Sequence, residues 1–433
     1  MRRGTASALL LLALTAFPAV AQQPAQKRNI TLKDMLALST YGGYQLSPDG
    51  GKVLFTRAER DLKDYSTVSH IWLHELEGGR TYQLTSSARG ESNPRFLPDG
   101  RIAFTSNRDT RNAWYVISPN GGEAVKLVEG DSLPTGGSFS KDGKFLLYTE
   151  QTERTDKKEW DDKVKKKDDG YFAEKKLTYT HIWTYDLAAK KKKQITTGNT
   201  DNQGAAFSPD AKWIAFTSNR TGTTARDANW SNNSDIFLVS ADGGEPRQLT
   251  TNAGPDNGPV WSPDGTMIAY TSSDYKNNSA DQSDLKVIRI DGGETVNITK
   301  KIDYSVSNIE WARDGRAIYF STAEGLTNKL YKVKIDGMGE LLPISFGDKF
   351  VFGDFSSTDD GSKWLVTGAT LDQPGIVYLT SADGAQPKRI FQEHDRIRDF
   401  NVARSEAITW KGADNWDIEG VLTYPLNYQP GQR

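Results

Sequence analysis

No cysteine occurs anywhere in the 433 residues, which excludes disulfides, thiolate metal sites and a cysteine nucleophile together. Histidine is nearly as scarce. His70, His74, His181 and His394 are the only four, and they are too scattered to suggest a metal cluster. An excess of one charge is missing as well. With 54 Lys and Arg against 56 Asp and Glu, the formal net charge is -2, so neither nucleic acid nor an anionic membrane is expected as a partner. No nucleotide, flavin or metal motif is present, and no cofactor is expected. No serine has glycine at both the −2 and +2 positions, so the G-x-S-x-G nucleophile elbow is absent.

A long hydrophobic run is also lacking. The greasiest stretch, Ala8 to Ala16, is too short to span a bilayer. It follows Arg2 and Arg3 and precedes Ala19-Val20-Ala21, the order of an export signal cleaved near Gln22. The mature chain is therefore expected outside the cytoplasm, periplasmic or extracellular, with no membrane anchor after cleavage. Its oligomeric state is not encoded in any recognisable pattern.

What the chain has in plenty is turns and β-forming side chains. Aromatics make up 10%, with 11 Trp, and there are 39 Gly, a mixture that favours sheets joined by tight turns. One pattern recurs: an apolar strand, an Asp-Gly-type turn, and a second apolar strand. The turns are Ser47-Pro48-Asp49-Gly50, Leu97-Pro98-Asp99-Gly100, Ser140-Lys141-Asp142-Gly143, Ser208-Pro209-Asp210-Ala211, Ser262-Pro263-Asp264-Gly265, Ala312-Arg313-Asp314-Gly315 and Thr358-Asp359-Asp360-Gly361. These seven copies stand 43 to 68 residues apart, the spacing of four-stranded blades with variable loops. A second hairpin accompanies each, as in Ile236-Phe237-Leu238-Val239 followed by Asp242-Gly243-Gly244 and Gln248-Leu249-Thr250. In blade three this hairpin is expected to turn at Lys190 to Lys193. The predicted fold is all-β, a seven-bladed propeller spanning 41–395. Each blade is complete in chain order, so the ring is expected to close by packing between the first and last blades.

Departures from the repeat mark candidate functional regions. Thr31 to Leu38 reads as a short helix capped by Thr31. Residues 151–180 form an insert in blade three, rich in Lys and Asp around Trp160 and ending with Tyr171-Phe172. Smaller excursions occupy 221–234 and 273–283. All three join the second and third strands of their blades and so emerge on one face, the expected working surface. His70 and His181 read as polar residues at the entry to a third strand, where other blades place Asn112, Asp235 or Asp284. Residues 396–433 form a linker and a last hairpin, Ser405 to Lys411 and Asp414 to Leu422, which has no blade partner.

The helix leading into the first blade, the repeated Ser-Pro-Asp-Gly hairpins and the last hairpin together resemble the prolyl-oligopeptidase family of serine peptidases, above all its acylaminoacyl-peptidase and dipeptidyl-peptidase-like branch. The resemblance covers essentially all of the mature chain. It implies a propeller that covers an active site, admits peptides and oligopeptides, and contributes substrate-binding side chains. In that family the hairpin from Glu406 to Tyr424 opens an α/β-hydrolase domain. The oxyanion segment, nucleophile, Asp and His that follow it are not in this sequence, so the chain is expected to be a truncated peptidase, inactive alone. A Glu pair that binds the substrate amine in strict dipeptidyl peptidases has no counterpart, since no two Glu are adjacent. Glu159 or Asp227 could take its place. The Ser-Pro-Asp-Gly hairpins also occur in TolB-type periplasmic propellers, which leaves a stand-alone protein-binding scaffold as the alternative. A lyase or glycosidase in the channel ranks last, for want of a suitable carboxylate pair.

Overall fold

A computed structural model describes residues 27–129, 137–153, 156–168, 178–221, 231, 233–274, 281–336, 340–346, 350–371 and 373–431. The expected export signal and Asp227 lie outside the described residues. Seven four-stranded antiparallel sheets follow one another in chain order, at residues 40–83, 92–129, 137–194, 202–248, 256–297, 306–344 and 351–392. Each of these seven sheets uses four consecutive strands, so among the described residues no blade takes a strand from the other end of the chain. In blade three the outer strand is Lys191–Gln194. Lys191 to Lys193 therefore belong to a ladder, paired with Asp186 to Thr184, and of the turn expected at Lys190 to Lys193 only Lys190 lies in the turn. An exposed outer strand can carry a lysine run because only its inner neighbours are buried.

The Ser-Pro-Asp-Gly turn owes its composition to a hydrogen-bond relay. Ser262 Oγ donates to Asp264 Oδ1 at 2.6 Å and accepts the Met267 amide at 2.9 Å, while Asp264 accepts the Thr266 amide at 3.0 Å. The same arrangement recurs at Ser47, Ser140, Ser208 and Thr358. These hydroxyls are buried, and each satisfies a strand amide that would otherwise be orphaned. Glycine is required at the corner of blade three for a second reason. Gly143 has φ +70°, and a Cβ there would meet Pro98 Cδ of the preceding turn at 3.0 Å.

The turn carboxylates are held below their ordinary range. Lys144 and then Ser140 bring Asp142 down to about 2, and Thr358 with the Ser362 amide does the same for Asp360. A depressed carboxylate contributes stability above its ordinary value near 3.8 that is lost as pH falls through the folded value. The double variant Asp142→Asn/Asp360→Asn should therefore melt below wild type at pH 6, with the gap closing between pH 4 and 2. A gap independent of pH would contradict this.

First strands of neighbouring blades touch, as those at 202–207 and 256–261 and those at 40–46 and 351–357 do. Six of them carry a register shift near their start, as between Gln203 and Ala206 or Asn257 and Val260. Left-handed Gly43, Asn93, Gly204, Gly258 and Asn308 sit in five of these bulges. Neighbouring blades are also tied by Trp261 Nε1 donating to Ala206 O and Trp311 Nε1 to Val260 O, both at 3.0 Å.

The ring closes as expected, by packing. Leu46, Val53 and Phe55 of blade one and Leu365 and Val377 of blade seven form one buried cluster, flanked by Tyr44 and Phe391. Polar links are laid over it. Lys363 Nζ donates to Gly50 O at 3.2 Å, the Leu46 amide to Ser356 Oγ at 3.2 Å, and the Tyr44 hydroxyl to Glu393. Beyond the cluster, Arg28 and Asn29 pair in parallel with Phe400 and Asn401.

Candidate functional site

Alternation of strand direction puts the loops between second and third strands on the same face as the blade-to-blade connections. Both ends of the ring emerge there. The helix α1 (Leu32–Leu36) precedes blade one, and its N-terminus is closed by a capping box between Thr31 and Asp34. Asp34 in turn takes two 2.6 Å bonds from Arg28. A cleft of about 540 Å³ lies between this helix, blade one and the linker, lined by Lys33, Tyr41, Arg57, Arg60 and His394.

The last hairpin, Ser405–Lys411 with Asp417–Thr423, pairs among the described residues only with itself. It reaches the same face, because the Leu326 amide in the second-to-third turn of blade six donates to Glu419 Oε2 at 3.2 Å. The hairpin buries little: Trp416 is 73% exposed, Val421 47% and Trp410 46%.

The blade-three insert also rises from this face, and its described part contains the helix α2 (Lys157–Lys165). Glu159 sits in the first turn of α2, largely exposed, with its carboxylate 3.6 Å from Lys163 Nζ. Asp227 lies outside the described residues, as do Tyr171 and Phe172, so no geometry joins them to Glu159.

Behind the loops, the third strands of blades one, three, four and five are anchored by the Thr that ends the outer-strand phrase. Thr85, Thr196, Thr250 and Thr299 accept the amides of Ile71, Ile182, Ile236 and Leu285 at 2.8–3.0 Å. Beside that Thr lies a polar cluster at the blade junction. Between blades one and two, buried Glu91 accepts from Thr85 Oγ1 at 2.6 Å and Arg108 Nη2 at 2.7 Å, and lies 2.9 Å from His70 Nδ1. Arg108 is stacked over Phe104 and Tyr115.

Between blades three and four the places of His70, Glu91 and Arg108 are taken by His181, Asn202 and Arg220. Arg220 Nη2 donates to Asn202 Oδ1 at 3.4 Å, and its guanidinium lies over Phe237. Burial lowers the His181 pKa and favours its neutral form. Between blades four and five the corresponding residues are Asp235, Asp256 and Asp274. Burial, with the Asp256 charge adding to it, pushes Asp235 up to about 6, and burial raises Asp256 as well.

His70 and His181 thus serve as the polar residues of strand entry that the repeat suggested. The partners they meet were not anticipated. The signal was present in Ser106-Asn107-Arg108 and Ser218-Asn219-Arg220, a repeat at the end of second strands. Among the described residues, no group of three or more His, Cys, Asp or Glu is placed to hold a metal ion.

Comparison with known proteins bears on this geometry directly. Residues 148–257 match the family described as the dipeptidyl peptidase IV N-terminal region. Over 92% of its length the chain is 26% identical to a Bacillus subtilis protein named uncharacterized peptidase YuxL, covering 66% of that protein. Over 86% it is 24% identical to dipeptidyl-peptidase 5 of Porphyromonas gingivalis, covering 57% of it. Acylaminoacyl peptidase from Pyrococcus horikoshii superposes with a TM-score of 0.71 at 17% identity, over 94% of this chain and 61% of that one. The resemblance read from the sequence holds: this is a propeller of the kind found in those peptidases. The chain spans about three-fifths of the length of the proteins it matches.

Proposed function

We propose that this propeller is the substrate-gating part of an exported serine peptidase acting on peptides and oligopeptides, its catalytic residues lying outside residues 1–433. The observation that carries the reading is the seat of the last hairpin. Glu419 engages the Leu326 turn on the face where the long loops rise, so a domain continuing that hairpin would sit over the channel mouth. The exposed Trp410, Trp416 and Val421 supply apolar surface for such a domain to cover. The peptidase names of the relatives support the substrate class, and the leader pattern supports export.

An antibody against the propeller, used on extracts of the source cells and their periplasm, tests this. A native species larger than 48.0 kDa by a further domain, exported and inactivated by a serine-directed inhibitor, is expected. A cytoplasmic species, or one no larger than this chain and without peptidase activity, would reject the reading and turn attention to protein partners. In the complete enzyme, Glu159→Ala should raise KM for peptides with a free amine and leave kcat unchanged. An unaltered KM would remove Glu159 as a substrate-binding residue.

A further inference from the structure

The internal repeat supplies its own comparison for the junction of blades four and five. Glu91 has Arg108 at 2.7 Å, and Asn202, itself uncharged, has Arg220 at 3.4 Å. The next junction faces two carboxylates, Asp235 and Asp256, only 7% and 0% exposed, and puts Asp274 where the others put arginine. The nearby cation is Lys286, whose Nζ is bound by the largely exposed Asp274 at 2.5 Å and whose charge also acts on Asp256. One lysine thus stands against two buried carboxylates.

Their hydrogen bonds do not make up the difference. Asp256 Oδ1 accepts from Ser272 Oγ at 2.5 Å, but Asp256 Oδ2 is buried without a hydrogen-bond partner among the described residues. Asp235 Oδ2 accepts from Gln248 Nε2 at 3.0 Å, and Oδ1 has only the Thr250 hydroxyl at 3.4 Å. The same hydroxyl and the Asn252 side chain also favour the Asp256 carboxylate, but Asn252 Nδ2 is already committed to Gly254 O and Ser273 O, both at 3.0 Å. A buried carboxylate oxygen without a donor is costly, and at the junction of blades one and two the fold meets a buried carboxylate with a cation.

We propose that the junction of blades four and five binds a divalent cation of the calcium class, held by Asp235 and the unpartnered oxygen of Asp256. The ion stands in for the arginine of the other junctions. The donors are all oxygen, which suits a hard cation over a transition metal. Two carboxylates match its charge, and calcium's irregular shell of roughly six to eight oxygens can be completed by hydroxyl, carbonyl and water.

The test is thermal melting of the purified chain after EDTA treatment, with calcium, magnesium or neither added back, beside isothermal titration with calcium. One calcium per chain is expected, with a rise in Tm on the order of 3–6 °C at saturation, both lost in Asp256→Asn. No calcium heat in the wild type overturns the proposal whether or not the variant folds. An equal Tm rise in Asp256→Asn also overturns it. If the EDTA-treated chain melts higher at pH 5 than at pH 7.5 and calcium adds nothing at either pH, the carboxylates share a proton and the cation site is rejected.

Discussion

Glu91→Ala is expected to lower the stability of the propeller by about 3–5 kcal/mol, the range for breaking a buried ion pair from one side. Glu91 is 3% exposed. Its two oxygens gather the Thr85 hydroxyl, His70, Arg108 and the Ser87 amide into one cluster joining blade one to blade two. Without the carboxylate, Arg108 stays over Phe104 and Tyr115 without its hydrogen-bonded counter-charge, and Thr85 loses the acceptor that orients it toward the third strand. Glu91→Gln keeps an acceptor but not the charge and should fall between alanine and wild type. The pair Glu91→Leu/Arg108→Met should cost less than Glu91→Ala alone, because it removes the uncompensated cation together with its partner. Denaturant midpoints of the four proteins decide the matter. A Glu91→Ala midpoint equal to wild type would show that the cluster contributes only surface-type pairing.

Why the blades were legible and these clusters were not follows from the range of the interactions. The Ser-Pro-Asp-Gly relay is closed within six residues, from Ser262 to Met267, so each turn is written in consecutive letters and its sevenfold return declares the architecture. Glu91 and Arg108 stand 17 residues apart in sequence and His70 and Glu91 stand 21 apart. Their meeting depends on how one sheet packs on the next, which no local pattern encodes. The helix α1 was legible through Thr31 and Asp34 because a capping box spans one turn. The lysines of blade three were placed one element too early, since polar strands on an outer edge look like turns when burial cannot be seen. The last hairpin was legible as a hairpin, but its seat against Leu326 comes from a contact 93 residues distant in sequence. Of the two acidic candidates for substrate binding, Glu159 stands on α2 beside Lys163, a local pairing of a kind common on solvated helices.

Phe55→Ala should cost about 3–5 kcal/mol, as expected for deleting a buried aromatic side chain, and its effect should be spatially selective. Phe55 is 2% exposed and lies against Tyr44 at 5.6 Å and Phe391 at 5.4 Å between ring centroids, where blade one meets blade seven. Among the described residues, neither end blade lends a strand to the other's sheet. The seam is therefore held by the shared cluster with Leu365 and Val377, a few hydrogen bonds and the short pairing of 28–29 with 400–401. Phe216→Ala, equally buried and stacked on Phe237 at 5.7 Å, provides the control, since blade four has chain-connected neighbours on both sides. Both variants lose similar transfer free energy. Only the seam variant also removes packing that no covalent connection backs up. Hydrogen exchange in Phe55→Ala should accelerate first in residues 40–83 and 351–392, ahead of global unfolding. In Phe216→Ala the acceleration should centre on 202–248 and leave the end blades protected. If both variants gave one uniform pattern, the ring would be unfolding as a single unit and the seam would not be its weakest junction.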